Sequence, residues 1–579
     1  MSTRKRLCSS IVLSLTLAQL VFPQDKRPGQ LPPGTDSDPF SISVGSTFYA
    51  SGGAPGSAVK NRLKKETISA DFEEALDVIR RNHASTRGPD PAGLTGSAVS
   101  SMLKALDPHS NYYDPSEFQE MLDEHASEFT GTGSSIAAFE KGGAVDTFVV
   151  STLPDSPAAM AGLRFGDKIM SIDGRTAAGL SLDSIRHLLR GKKGTAVRLL
   201  VEPAGSGPSR VIDVRRDRLH EPAVPPGFTL PGGVGYIDLT RGFSNATFAE
   251  FEAALSEVKR QGARSLVLDL RGNGGGILDQ AIRVAEKFLP ASTLIVSQRG
   301  RYPAENRDWR SANAKYESMP LVLLVDENSA SATEVLAGAL QDNDRALIVG
   351  RRTFGKGLVQ SVLHLPEGAG LTLTAARYFT PAGRSIQRDY ADTGLYDYYT
   401  HKSGRVEIDK SMYAARTITK RVVYGGDGIA PDELSDAGTF TKDRIRLLDP
   451  LFFFARGHAQ DTPAGNSPIS GRLRELRRRI LFQEPIVDEA DFVEFEIFLT
   501  SDAKWRKLRP TLARETAFIR EMMAYYLAMA AFGADAAGRA RIGSDPAVAL
   551  AIDALPRSAE LAAMAKKARS ATPTNKKAR

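Results

Sequence analysis

Residues 321–340 read LVLLVDENSASATEVLAGAL: five apolar residues from Leu321 to Val325, a polar break from Asp326 to Ser331, then a helix-forming stretch from Ala332 to Leu340. The apolar run reads as a strand, and Ser331-x-x-Glu334 has the form of a capping box, the local signature of a helix start. The same alternation continues upstream. Gly235 to Leu239 reads as a strand, Ala249 to Arg260 as a helix, Ser265 to Leu270 as a strand and Ile277 to Leu289 as a helix. Strands and helices in regular alternation imply an α/β core, expected from about residue 221 to 435.

Ser331 sits where the strand gives way to the helix, and capping alone explains a serine there. The same position suits a nucleophile, because a strand-to-helix turn projects the hydroxyl and the helix N-terminus favours nearby negative charge. Catalysis needs one thing more, a base to take the proton. Neither His109, in a turn after Asp107-Pro108, nor His364, in an otherwise apolar strand, is well placed in sequence; both read as structural. Lysine can be the base where burial leaves a neutral amine near neutral pH. Lys356, in Thr353-Phe-Gly-Lys-Gly357 between the apolar strands Ala346 to Val349 and Leu358 to Leu365, is the candidate. Gln360, four positions on, would share its face if the segment is extended and would hold the amine in line.

Two glycine-rich stretches imitate nucleotide sites. Asp269-Leu-Arg-Gly272-Asn-Gly274-Gly275-Gly276 lies between a strand and a helix, but a dinucleotide fingerprint counted from Gly272 needs glycine where Ile277 stands. Gly350-Arg-Arg-Thr-Phe-Gly-Lys356-Gly357 matches a phosphate-binding loop except at its last position, where the magnesium-holding Ser or Thr is replaced by Gly357. A nucleotide hydrolase is therefore a weak alternative.

Residues 129–220 change character, to short strands and glycine turns around one helix through Ile185, Leu188 and Leu189 that Ser181 would cap. The run Phe129-Thr-Gly-Thr-Gly-Ser-Ser-Ile136, with Ser156-Pro-Ala-Ala-Met-Ala-Gly-Leu163 and Gly166-Asp-Lys-Ile169, resembles a PDZ domain of the processing-protease type. That resemblance implies a carboxylate nest from Gly131, Thr132, Gly133 and Ser134, with Ile136, Ile185 and Leu189 lining a side-chain pocket.

Asn328-Ser-Ala-Ser-Ala-Thr-Glu334, the interval to Thr353-Phe-Gly-Lys-Gly357, and Gln360 together resemble the tail-specific, or carboxyl-terminal processing, peptidases. Leu106-Asp-Pro-His-Ser-Asn-Tyr112 and Tyr378-Phe-Thr-Pro-Ala-Gly-Arg-Ser-Ile386 extend the likeness to residues 62–435. It implies a ClpP/crotonase-like peptidase core with Ser331 as nucleophile, Lys356 as general base and Gln360 as its orienting residue. The oxyanion hole would be formed by the Ala332 amide and one from Gly274, Gly275 or Gly276, where glycine leaves room for close approach. Gly274 stands where many relatives carry proline, which leaves the choice of donor open. The function implied is a cofactor-free serine endopeptidase acting on proteins with free C-termini. A catalytically inactive PDZ scaffold is the alternative, against which Ser331, Lys356 and Gln360 together argue; an acyl-CoA enzyme would leave the PDZ-like module without a use.

The remaining expectations concern the ends of the chain. Of the net charge of +7, residues 1–29 carry about +4 and 556–579 about +6, leaving the body near −3, so no nucleic-acid stripe is implied. Arg4-Lys-Arg6 followed by an apolar run from Leu7 to Phe22 reads as a signal peptide over 1–24, directing export to the periplasm or cell envelope; an uncleaved membrane anchor is the alternative. Cys8, the sole cysteine, lies within it, so the mature chain has neither disulfide nor thiol nucleophile, and no metal-ligand spacing exists. Residues 25–60 read as a flexible linker, 61–128 as a helical region with a second helix around Val99 to Leu106, and 566–579 as a disordered basic tail. Residues 436–565 read as helical, with helices at 441–459, 469–482 and 487–499 and a stripe of Leu512, Phe518, Ile519, Met522, Met523, Tyr526 and Leu527 that would serve core packing or a homodimer.

Overall fold

The computed structural model describes residues 65–84, 90–205, 207–390, 398, 413–435, 441–459, 478–479, 486–543 and 545–571. The expected signal peptide and linker lie outside these residues, as does almost all of the helix expected at 469–482. The chain divides into two compact units, and the smaller contains the helices α1 (Lys65–Asn82) and α2 (Pro91–Lys104). α2 starts eight residues before the sequence reading placed it. The Asp90 carboxylate accepts from the Ala92 and Gly93 amides, and Pro91 fills the first helical position, where a missing N–H costs nothing.

The larger unit begins with β1 (Asn111–Tyr113), α3 (Pro115–His125) and β2 (Glu128–Gly131). The PDZ-like module follows as an antiparallel sheet in the order β3 (Ser134–Lys141), β4 (Ala144–Thr152), β5 (Lys168–Ile172), β6 (Ala196–Glu202) and β7 (Arg210–Arg215). The helix α4 (Leu182–Leu189) is capped by Ser181, whose hydroxyl accepts from the Ser184 amide. β8 (Asp217–His220) then pairs with β2, joining the two ends of the module.

The core that carries Ser331 is a six-stranded sheet in the order β9 (Phe228–Leu230), β10 (Val234–Asp238), β11 (Ser265–Asp269), β14 (Leu321–Val325), β15 (Leu347–Gly350) and β18 (Glu433–Leu434). β9 is antiparallel to β10 and every other pair is parallel. A parallel sheet must be covered on both faces, and the strands show it. Leu266, Leu268, Leu321 and Leu323 pack with α5 (Thr247–Arg260), α6 (Leu278–Glu286) and α7 (Ala332–Asp342), while Val267, Val322 and Leu324 face α12 (Pro546–Ala571). Beside it lies a second, antiparallel sheet in the order β1-β17-β12-β13, with β16 also paired to β17, formed by β12 (Leu294–Gly300), β13 (Arg307–Arg310), β16 (Leu358–His364) and β17 (Gly370–Phe379).

The C-terminal region contains α8 (Lys442–His458), α9 (Glu489–Ser501), α10 (Thr516–Phe532), α11 (Ala534–Ile542) and α12. The apolar stripe from Leu512 to Leu527 is buried inside the chain, together with Phe452 and Phe453 of α8 and Phe139, Phe148 and Phe165 of the PDZ-like module. Phe139 and Phe452 stack with ring centroids 3.7 Å apart. The basic tail expected from residue 566 is corrected in part, because α12 continues through Lys566 and Lys567 to Ala571. Ala547, Val548, Ala551, Ala554, Leu555, Leu561 and Ala565 are buried along it, so packing extends a helix whose polar end the composition marked as unstructured.

Candidate active site

Ser331 lies six residues past the end of β14 and just before α7, in a turn tied down by Asp326. The Asp326 carboxylate accepts from the amides of Gly272, Asn328 and Ser329, and the Ser329 hydroxyl donates to the Leu270 carbonyl at 2.8 Å. Ser331 itself has φ 59° and ψ −119°, a conformation that costs a non-glycine residue about 1–3 kcal/mol. Half of the capping box is present, since Glu334 accepts from the Ser331 amide at 2.9 Å. The Glu334 amide in turn donates to the Ser331 carbonyl at 2.8 Å, and the Ser331 hydroxyl makes no capping bond. Capping therefore leaves the hydroxyl unused.

Glu334 does more than close a helix end. Its Oε2 also accepts from the Lys356 amide at 2.8 Å, while Oε1 accepts from the Gly355 amide at 2.8 Å and the Thr353 hydroxyl at 2.5 Å. One buried carboxylate oxygen is thus shared by the main chains of Ser331 and Lys356, which are 25 residues apart in sequence. Burial pushes the Glu334 carboxyl above the usual range, against the pull of its donors. Around Lys356 burial acts in the opposite sense: it disfavours the ammonium and lowers the pKa below the lysine value of 10.5, although the nearby charges of Asp107 and Glu334 oppose it.

Lys356 precedes β16 and is not part of it, whereas Gln360 lies on the strand directly opposite Thr374 of β17. The Gln360 Nε2 donates to the Thr374 hydroxyl at 2.7 Å, and its Oε1 is buried with no hydrogen-bond partner among the described residues. His109 packs edge-on against Phe354 and Tyr398, with Nε2 2.9 Å from the Tyr398 hydroxyl. Burial, then the charges of Lys356 and Arg388, lower its pKa to about 2, so this ring is neutral. His109, expected to be structural in a turn after Asp107-Pro108, feels the charge of Lys356, and the Asp107 carboxylate in turn bears electrostatically on Lys356.

The glycine loop follows β11 and faces Ser331. A Cβ on Gly275 would stand 2.8 Å from the Ser331 Cβ and 3.1 Å from the Ala332 nitrogen, so only glycine fits against the serine. The Gly275 amide, however, donates to Asn273 Oδ1 at 2.8 Å. Among the described residues the amides of Gly274, Gly276 and Ala332 have no protein acceptor. Asn273, wholly buried, also takes the Thr333 hydroxyl and receives the Ala330 amide on its carbonyl, which locks the loop to the serine turn.

In the PDZ-like module Gly131 ends β2 and Ser134 opens β3, leaving the buried Thr132 and Gly133 amides without protein acceptors among the described residues. The Thr132 hydroxyl is 2.9 Å from that of Ser134, and the Thr132 and Gly133 carbonyls are taken by the Ala158 and Leu153 amides. Two buried N–H groups of the loop are thus without a protein acceptor among the described residues. Ile136 is half-buried beside it, but Ile185 and Leu189 are enclosed in the module's own core with Val149, Leu163 and Val197.

A strained serine between a parallel sheet and a helix, sharing a carboxylate with a lysine of lowered pKa and joined to a PDZ-like module, has the architecture of a serine peptidase with a peptide-binding accessory domain. Residues 233–393 match Peptidase family S41 and residues 148–203 match a PDZ domain. The carboxy-terminal-processing protease of Bartonella bacilliformis is 37% identical over 326 residues, 55% of this chain and 72% of that protein. The corresponding protease of Picosynechococcus is 37% identical over 297 residues, 50% of this chain and 70% of its own length. A solved photosystem II D1 C-terminal processing protease is 29% identical, covering 65% of this chain and 94% of that one, with a TM-score of 0.34. The chain belongs to the carboxyl-terminal-processing serine proteases of peptidase family S41 and carries the PDZ domain.

Proposed function

We propose that this protease cleaves through an acyl-enzyme on Ser331, with Lys356 as general base and Gln360 holding the lysine in line. The shared Glu334 oxygen is the observation that carries the reading, because it joins the backbones of nucleophile and base through one rigid group. The neutral Lys356 amine takes the proton of the Ser331 hydroxyl as its oxygen attacks the scissile carbonyl. The resulting ammonium returns the proton to the departing amine, and water, deprotonated by the same lysine, releases the acyl group. The unpartnered Gln360 Oε1 is suited to accept a hydrogen from Lys356 and turn its lone pair toward Ser331. The developing oxyanion is met by the Ala332 amide and by that of Gly274 or Gly276; the Gly275 amide joins only if it leaves Asn273.

The PDZ domain supplies the substrate end. The Thr132 and Gly133 amides are suited to a carboxylate, so the substrates are proteins or peptides with a free C-terminus laid against β3. The charged and then apolar first 22 residues support export.

The test is cleavage of an unfolded polypeptide by the purified chain beside Ser331→Ala, Lys356→Ala and Lys356→Arg. Each should lose a thousandfold or so in kcat/KM, and Ser331→Ala combined with Lys356→Ala should be no worse than either, since the pair acts as a unit. Arginine fails because its guanidinium keeps its proton. Cleavage surviving in Lys356→Ala would sink the assignment.

A further inference from the structure

We infer that Thr374, fixed in turn by Ser110 and Asp107, is a positioning residue that decides which end of the Gln360 side chain faces Lys356. This rests on the Ser331/Lys356 reading above and goes beyond it. A glutamine amide has two ends of nearly equal size, one an acceptor and the other a double donor, and the two are exchanged by a half-turn. Only the oxygen end is useful beside a lysine, because an NH2 facing an ammonium sets donor against donor.

The structure selects the oxygen through the opposite end of the amide. Pairing between β16 and β17 shifts register between Val359 and Gln360, and the shift brings Gln360 opposite Thr374. Such irregularities re-aim side chains. Thr374 Oγ1 accepts from Gln360 Nε2 at 2.7 Å, which leaves Oε1 as the buried, unpartnered end.

The Thr374 hydroxyl is itself held. Ser110 Oγ lies 3.4 Å from Thr374 Oγ1 and takes the Thr374 amide at 3.1 Å. The Ser110 hydroxyl donates to Asp107 Oδ2 at 2.7 Å, while Asp107 Oδ1 takes the amides of His109 and Ser110. Asp107 Oδ2 anchors the Ser110 hydroxyl, Ser110 Oγ accepts the Thr374 amide and stands as donor toward Thr374 Oγ1, and Thr374 Oγ1, an acceptor on both sides, presents a lone pair to Gln360 Nε2. This gives the Leu106 to Tyr112 segment, far from Ser331 in sequence, a role in orienting the base.

The experiment measures kcat and KM against pH for cleavage of an unfolded polypeptide by the full chain and by Thr374→Val, Thr374→Ser, Gln360→Ala and Thr374→Val combined with Gln360→Ala. Valine keeps the shape of threonine and removes the acceptor; serine restores it. Thr374→Val should lower kcat about tenfold with KM unchanged. It should also move the rising limb of the pH profile to lower pH, because losing the oxygen disfavours the ammonium. Thr374→Ser should stay within about twofold of the parent, and the double variant should be no slower than Gln360→Ala alone. Equal losses from Thr374→Val in both backgrounds, or a Thr374→Ser as slow as Thr374→Val, would overturn the inference. If Thr374→Val does not fold, Ser110→Ala must show the same loss and the same dependence on Gln360. Failure of the underlying reading has a different sign, namely cleavage that survives Lys356→Ala.

Discussion

A serine held at φ 59° stays there only while its surroundings make every alternative worse, and Glu334 does much of that holding. The sequence showed Ser331 and Glu334 as a capping pair because spacing reports local geometry alone. That the same carboxylate reaches Thr353, Gly355 and Lys356 depends on β14 and β15 lying side by side, which the tertiary fold decides. For Lys356 the energetics can be tested directly. Below its lowered folded-state pKa the side chain is charged both folded and unfolded, and the cost of burying that charge falls wholly on the folded chain. As pH rises through that value the folded chain gives up its proton while the unfolded chain keeps it up to about 10.5, so stability rises with pH across this window. Lys356→Met should therefore melt at a higher temperature than the parent at pH 7, by an advantage that shrinks toward pH 10, while being inactive. A variant that melts lower at pH 7 would refute the account. The parent's cleavage rate should climb with pH, with a midpoint below 10.5.

At the scale of the element, the loop between β2 and β3 was readable because Gly131-Thr-Gly133 can present amides only where side chains do not block them, and the structure leaves the Thr132 and Gly133 amides without acceptors. The pocket was harder to read. Apolar residues at helical spacing on α4 fit a groove lining and a buried core equally well, and the structure buries Ile185 and Leu189 among the apolar residues of the module. The phosphate-loop imitation over 350–357 also has a packing origin: a Cβ on Gly350 would meet the Val325 carbonyl at 2.0 Å, so the glycine serves the close passage of β15 past β14. For the carboxylate loop the expected outcome is a preference for free C-termini. An amidated substrate removes the charge that two desolvated N–H groups would meet, a loss of about 1–3 kcal/mol, or roughly fivefold to 150-fold in affinity. Cleavage of one unfolded substrate with free and amidated ends measures it. Equal rates would show that the PDZ domain does not select through the carboxylate.

For the larger unit, the C-terminal helices are part of the architecture of the enzyme. The sequence marked them as helical and apolar, but periodicity does not say what covers an apolar face: α8 and α10 pack against the PDZ domain, and α12 against the sheet that carries Ser331. α12 lies against Val267, Val322, Leu324 and Val349, and Asp545, just before it, pairs with Arg271 at 2.7 Å at the mouth of the glycine loop. Arg271 also binds Asp269, so a chain stopped after Gly543 loses one of two carboxylate partners of a nearly buried guanidinium and bares one face of a parallel sheet. A bared parallel face is far costlier than a lost surface helix, because its side chains have no alternative cover. The chain ending at Gly543 should be insoluble or lack a cooperative melt, whereas one ending at Ala571 should match the full chain in melting temperature and cleavage. Solubility on expression and calorimetry of the two truncations decide the matter. A chain ending at Gly543 that melts cooperatively and cleaves at the parent's rate would mean that α12 is dispensable to the sheet that carries Ser331.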